Sequence, residues 1–483
     1  MQTVFAKSVP GRTGVLPGKP EKTAGEMLPK HLLRAKPPAL PELSELDVIR
    51  HYSNLSRRNY GVDTNFYPLG SCTMKYNPKF TEVAASFPGF ARMHPLTAQV
   101  PGGEALAQGN LEAIWESERL LCEVTGMDAF SMQPMAGAQG ELAGILLIAA
   151  YHRAKGNKKN KVIVPDSAHG TNPATAGMAG YEVINLESKD GMLDPEALAA
   201  VLDDSVAGVM MTCPNTLGLF ERHLPEIVRL LRSVDALLYY DGANFNACMG
   251  RLRTGDVGFD VVHLNLHKTM GTPHGGGGPG SGPVGVAKNL LPFLPGPRVM
   301  KKADGTFGLD YDLPQSIGQI APFYGNFSMY LRSLAYMLRC GKEGLARATD
   351  YAVLNANYMQ ARLKDHLHMP FGDRLCMHEF VASAAPLGEH GINAMDIAKA
   401  LLDKGYHAPT VYFPLIVKEC LMFEPTETES RETIDRFCDD LIEIVKTART
   451  NPEAIKDAPI TLPVRRLDEA GAARNMVLTE EKK

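Results

Sequence analysis

The sequence predicts an α/β protein: a mostly parallel sheet with helices on both faces, a smaller C-terminal α/β domain and an N-terminal arm. Three observations carry this expectation. Apolar runs rich in β-branched residues recur between Lys161 and Ala287, helical segments separate several of them, and prolines punctuate the first 95 residues. Strand alternating with helix is the pattern of parallel sheets, whose strands are buried on both faces and read as continuous apolar runs.

The arm is placed at residues 1–95. Pro29, Pro37, Pro38 and Pro41 break helices, and the stretch through Pro68, Pro78, Pro88 and Pro95 reads as loop. Such a segment gains little stability by itself and is expected to wrap another surface. The large domain is placed at residues 96–340. It opens on a helix over Glu104–Thr125, with Leu106, Ile114, Leu120 and Leu121 as its buried face.

The strands follow as Lys161–Pro165 (KVIVP), Glu182–Leu186 (EVINL), Ala207–Thr212 (AGVMMT), Ala236–Tyr240 (ALLYY), Val261–Leu266 (VVHLNL) and Val284–Ala287. Helices are expected at Pro195–Leu202 and Pro225–Val234, then from Tyr324 through Arg339 and again over Tyr351–Leu367. Residues 341–483 form the small domain, ending in a frayed tail, LTEEKK. No internal repeat is visible, and the one low-complexity patch is HGGGGPGSG, His274–Gly282.

A chain of 483 residues, 45% hydrophobic and 22% charged, can bury a sizeable core. Its 50 basic against 54 acidic residues leave −4, no electrostatic basis for binding nucleic acid or a membrane surface. No apolar run reaches bilayer length, and MQTVFAKSVPGRTG lacks a signal-peptide core, so a cytoplasmic protein is expected. The eight cysteines form no C-x-x-C pair and read as reduced thiols. Cys376 and His378, with His366 and His368, lack the spacing of a metal site, and no metal is expected.

In open α/β sheets ligands lie beyond the carboxyl ends of the strands, and the unusual residues cluster there. Lys268 follows the run VVHLNL at an expected strand end, where partial burial favours the neutral amine that Schiff-base chemistry needs. Alone it also fits a solvated lysine. Asp241, in LLYYDGANFNA, ends another strand and can keep a pyridine nitrogen protonated, with the small Ala243 letting a flat ring approach. It fits equally an Asp-Gly turn bonded to its own backbone.

In SMQPMAGAQGELAG, Gly137, Ala138 and Gln139 read as a helix start whose free N–H groups bind phosphate. His169, in IVPDSAHGTNPATAG, is placed to stack on a ring, and alone it also fits a structural histidine. Asn215 and Thr216 are placed to bond a ring hydroxyl, and Thr269 to touch the phosphate. Together these are the parts of a fold-type-I (aspartate-aminotransferase-like) pyridoxal-phosphate site, with pyridoxal 5'-phosphate held as a Schiff base to Lys268. Gly275, Gly277 and Gly280 match G-x-G-x-x-G, but the run leads into the strand-like PVGVA and not a helix, so no dinucleotide site is expected. Thr272–Gly282 reads instead as a lid.

Longer motifs carry a resemblance. YPLGSCTMKYNP (Tyr67–Pro78), SAHGTNPATA, NTLGLFE, DGANFNA, HKTMGTPHGGGGPG, HAPTVYFP (His407–Pro414) and EPTETES (Glu424–Ser430) resemble the P-protein, or glycine decarboxylase, family of the glycine cleavage system. The resemblance covers most of the chain, and the length matches subunit 2, the catalytic β chain of the split form. It implies an oxidoreductase that decarboxylates glycine, releases CO2 and passes an aminomethyl group to the lipoyl disulfide of the H-protein. It further implies a subunit 1 (α chain) partner in an α2β2 assembly, and places Cys72 and Lys75 near substrate or phosphate. His267, His274 and Gly275 adjoin the lysine and the lid, though residues neighbouring in a strand point to opposite faces. Cys213 departs from the family, which carries Asn there. Two other readings fit the residues: another fold-type-I amino-acid enzyme, or a catalytically silent structural subunit.

Overall fold

The computed structural model describes residues 2–16, 18, 20–36, 38–274 and 280–478. They form two compact units, Met1–Thr64 and Asn65–Lys483. In the first, helix Glu45–Ser56 starts at Ser44, whose hydroxyl accepts from the Asp47 N–H while the Asp47 carboxylate accepts from the Ser44 N–H.

The second unit is built on a seven-stranded sheet: β1 Ala129–Ser131, β2 Lys161–Pro165, β3 Glu182–Leu186, β4 Val206–Met211, β5 Leu237–Gly242, β6 Val261–Leu264 and β7 Val284–Val286. Their spatial order is β1-β7-β6-β5-β4-β2-β3. The pairs from β3 through β6 are parallel, and β7 runs antiparallel to both β6 and β1. The expected α/β architecture is therefore present. β4 and β5 are buried at every position, as parallel strands covered on both faces must be.

Alternation along the strands makes two cores. Leu238, Tyr240, Val262 and Leu264 join Leu111, Leu121 and Leu231 from helices Gln108–Thr125 and Leu224–Ser233. Leu237, Tyr239 and Val261 face the opposite way, onto Ile145 and Ile148 of helix Gly137–Ala154. A third core lies on the antiparallel sheet of Phe380–Ser383, Cys420–Phe423 and Thr410–Val411. There Phe423 meets Phe380 at 5.4 Å and Phe437 of helix Arg431–Thr450 at 6.1 Å between ring centroids. Such aromatic pairs add about 0.5–1.5 kcal/mol beyond the area they bury.

Several local expectations need correction. Pro78 and Pro88 do not keep their stretch in loops: they stand at the starts of helices Lys79–Ala85 and Pro88–Ala91, where a missing N–H costs nothing. The helix expected over Glu104–Thr125 is two, Gly103–Leu106 and Gln108–Thr125, and Leu106 is exposed. The helices after Tyr324 form one run, Phe327–Leu363, interrupted where Gly341 adopts φ 62° and ψ −178°. That conformation is open essentially to glycine alone. Residues 479–483 of the tail lie outside the described residues. Among the described residues no helix is long and apolar enough to cross a membrane.

Candidate active site

The parallel register brings β5 and β6 to an end side by side, with Asp241 opposite His263. A cavity begins there, about 610 Å³ when counted out through its open mouth. Of the residues singled out in the sequence, Gly137, Ala138, His169, Thr216, Asp241, Ala243 and Lys268 line it. Helix Gly137–Ala154 points its start into it with no side-chain cap on its first N–H groups. A Cβ at Gly137 would come within 2.3 Å of the Asn265 carboxamide, so glycine is what lets the helix start approach so closely.

Asp241 is buried and held from several sides. Its Oδ2 accepts from Asn172 Nδ2 at 2.9 Å, its Oδ1 accepts from the Ala243 N–H at 3.1 Å, and His263 Nε2 lies 3.5 Å from Oδ1. The turn in which Asp241 bonds its own backbone is present, and the residue also lines the cavity. Burial pushes its carboxyl up, but the His263 imidazole and the Asn172 and Ala243 donors more than offset this and hold it below the usual range. Asn172 also donates to Glu141 Oε1 at 2.8 Å, and Thr171 Oγ1 donates to Oε2 at 2.8 Å. Burial, then the Asp241 charge, push the Glu141 carboxyl upward.

Lys268 is half-buried and sits in a single helical turn, Leu266–Thr269, one step past the end of β6. The expectation that His267 and Lys268 alternate as strand neighbours is thus corrected. Lys268 Nζ donates to the Ser71 carbonyl at 2.7 Å. Ser71 and Thr73 both take left-handed backbone, φ 64° and 44°, which non-glycine residues adopt only when the surroundings enforce it. That loop turns its N–H groups toward two buried carboxyls. The Ser71 N–H donates to Glu379 Oε2 at 2.6 Å, and the Thr73 N–H donates to Glu424 Oε2 at 3.0 Å.

Other predicted residues stand around the cavity without lining it. The Gln139 side chain bonds the Met135 N–H and the Ile320 carbonyl. Asn215 is committed to its own loop, donating to Gly191 O and accepting from the N–H groups of Leu217 and Leu219. Thr269 Oγ1 accepts from the Phe245 N–H. Lys75 is buried, donating to Glu427 Oε1 at 2.6 Å and Asn246 Oδ1 at 2.8 Å. The Cys72 carbonyl accepts from His274 Nε2 at 3.0 Å, and burial pushes its thiol up. His267 packs edge-on against His274, and burial lowers its pKa to about 3. Gly275 and the rest of 275–279, the middle of the expected lid, lie outside the described residues.

Sequence reasoning did not single out Ser71, Glu141, Thr171, Thr212, Asn244, His263, Asn265 or Glu379, all of which line the cavity. Most stood inside motifs already quoted, one position or two from a residue that was chosen. His378 and Glu379 belong to no such motif, and only the third dimension brings them in. His378 is buried with neither ring nitrogen partnered, and burial lowers its pKa to about 3. Among the described residues the acidic-histidine clusters are Glu141–Asp241–His263 and His378–Glu379–Glu424; Cys376, His366 and His368 belong to neither.

Residues 21–309 match the family model of the glycine cleavage system P-protein, and residues 348–460 match that of the glycine dehydrogenase C-terminal domain. A probable glycine dehydrogenase (decarboxylating) subunit 2 from Caldanaerobacter subterraneus subsp. tengcongensis is 57% identical over 460 residues, covering 95% of this chain and 93% of that one. The protein of the same description from Listeria innocua serovar 6a is 52% identical over 487 residues, covering 100% and 98%. Among solved structures, an inhibitor-bound glycine decarboxylase (P-protein) of the glycine cleavage system superposes with a TM-score of 0.71 at 22% identity, over 86% of this chain and 93% of that one. An alanine–glyoxylate aminotransferase from Nostoc sp. does so at 0.56 and 16%, over 80% and 96%. The two structures share the fold, and the matches in sequence carry the kinship: the chain belongs to the glycine cleavage system P-protein family.

Proposed function

We propose that this chain decarboxylates glycine with pyridoxal 5'-phosphate joined covalently to Lys268, and passes the remaining aminomethyl group to the lipoyl disulfide of the H-protein. The observation that carries this is the convergence of an amine, a buried ionised carboxylate, a histidine and an uncapped helix start on one cavity. The fit is also visible in what the cavity leaves unsatisfied. Thr212 Oγ1, Asn265 Oδ1 and both His378 nitrogens are buried, line it and have no partner.

When bound, the cofactor supplies an electron sink for the bond to the departing carboxylate. Asp241 would hold the proton on its ring nitrogen, His169 and Ala243 would flank the ring, and Thr216 would meet the ring hydroxyl. The N–H groups at Gly137, Ala138 and Gln139 would hold the phosphate. Asn215 and Thr269 would act through the loops they brace. The chain's further task is orientation, since a bond aligned with the sink breaks faster without any new chemistry. The cofactor domain is placed at 96–340 and the small domain at 341–483, with Gly341 between their helical stretches supporting the division.

A subunit 1 partner in an α2β2 assembly belongs to the same proposal. All eight cysteines are free thiols, which supports the cytoplasm as the compartment. The purified chain, with its partner subunit, is expected to show a visible cofactor band that shifts on adding glycine. Lys268→Ala is expected to abolish the band. Absence of any band after adding pyridoxal phosphate would overturn the reading.

A further inference from the structure

Glu379 and Glu424 form a buried carboxyl pair. One oxygen from each and one nitrogen of His378 lie within 4.8 Å of one another. Glu379 and His378 line the cavity, whereas Glu424 does not and is fully buried. Both oxygens of Glu424 are engaged, Oε1 by Thr73 Oγ1 at 2.5 Å and Oε2 by the Thr73 N–H and by Asn244 Nδ2 at 2.8 Å. Those bonds leave the cluster little free oxygen to ligate a cation. On Glu379 the Ser71 N–H occupies Oε2, and Oε1 faces His378 Nε2 at 3.9 Å.

Other charged and titratable groups face the pair. Lys268, its Nζ bonded to the Ser71 carbonyl, opposes the upward push on both carboxyls; Lys75 is paired with Glu427; and Cys72, Cys376 and Cys420 are thiols pushed up by burial. Two carboxylates so close and so deeply buried do not both ionise. Burial, then the neighbouring carboxyl, push Glu379 upward; burial does the same to Glu424, so the pair retains one proton near neutrality. His378 beside them is neutral, for the burial already described.

The proposed reaction consumes one proton. The electron pair of the C–COO bond stays on the α-carbon when CO2 leaves and then forms the new C–S bond. The S–S bond breaks, and its electron pair goes to the second sulfur, which needs a proton to leave as a thiol. We infer that Glu379, paired with Glu424 and faced by His378, is the acid that delivers this proton to the departing sulfur. Glu379 is the catalytic residue and Glu424 a positioning residue that keeps the proton on it. The pair is recharged from solvent through the cavity mouth. This inference rests on the proposed function, because it requires a disulfide acceptor.

The test uses the full chain with its partner subunit, and Glu379→Gln, Glu424→Gln and Glu424→Asp. In the cofactor-free chain, infrared spectra across pH are expected to show a protonated carboxyl carbonyl at neutral pH that Glu379→Gln removes. In the loaded enzyme, Glu379→Gln is expected to keep the glycine-induced shift of the visible band. It should slow aminomethyl transfer to lipoylated H-protein by about 10²- to 10⁴-fold, the range for a positioned proton donor. Glu424→Gln should move the pH profile of transfer, and Glu424→Asp should restore it in part. No protonated carboxyl signal near neutral pH, or transfer by Glu379→Gln at the wild-type rate with an unchanged pH profile, would overturn the inference. A wild-type enzyme that binds glycine but hands nothing to the lipoyl disulfide would overturn the functional reading itself, whatever the infrared spectrum shows.

Discussion

Asp241 owes its charge to its neighbours. Burial opposes ionisation, while His263, Asn172 and the Ala243 N–H favour it, and the second group of effects wins. The consequence for stability has a definite sign. A carboxyl whose folded pKa is depressed stabilises the fold above its unfolded pKa, and that contribution is lost as pH falls through the folded value. Asp241→Asn is therefore expected to flatten the acid limb of stability against pH, in urea melts from neutral pH down to below the ordinary carboxylate range. If the limb is unchanged, His263 and Asn172 do not act on Asp241 as described. The same substitution should lower glycine decarboxylation by about two to four orders of magnitude, as the loss of a group that governs a proton does. Glu379 has the opposite sign: its raised carboxyl costs stability as pH rises, so its amide variant should gain on the wild type toward alkaline pH.

Helix Gly137–Ala154 has to lie very close to the sheet for its start to reach the cavity. At Gly140 a Cβ would come within 2.2 Å of the Gly282 carbonyl oxygen, a backbone atom that cannot rotate away. Helix propensity alone would make Gly140→Ala stabilising by roughly 0.5–1 kcal/mol. Overpacking against backbone costs about 1–3 kcal/mol, so a net loss of up to about 2.5 kcal/mol is expected in denaturant titration, and a gain would contradict the contact. Elements of this kind were legible in the sequence where periodicity and burial agree. β2 and β3 match their expected bounds, and β4 to β7 differ only at their ends. β1 was not legible, because three residues of sequence, AFS, carry no pattern. The site followed the same logic. Lys268, Asp241 and His169 sit at strand ends or in the loops after them, where a rule about ligands could find them. Glu379 lies just before a strand of another sheet, far along the chain, and Ser71 contributes only backbone atoms, which no side-chain motif records.

At the scale of the whole molecule, the cavity draws together residues from Ser71 to Glu379, from a loop before the first strand of the large sheet to the approach to a strand of the small one. A ligand that binds only this folded arrangement stabilises every element that supplies it. At a hundred times its dissociation constant that stabilisation is about 2.7 kcal/mol. Adding pyridoxal phosphate is therefore expected to raise the unfolding midpoint in proportion to the logarithm of its concentration. Two probes should report the same shift. Far-ultraviolet circular dichroism follows all the helices, and the single tryptophan, Trp115, lies in helix Gln108–Thr125 against the large sheet. Coincident transitions are what one cooperative unit gives. If the tryptophan transition moved and the circular dichroism split into a shifted and an unshifted step, the small sheet would be melting independently of the cofactor. The wall that Glu379 provides would then not be part of the bound state. Lys268→Ala should blunt the shift while lowering the midpoint of the cofactor-free chain only slightly, because the hydrogen bond from Lys268 Nζ to the Ser71 carbonyl is worth only about 1 kcal/mol.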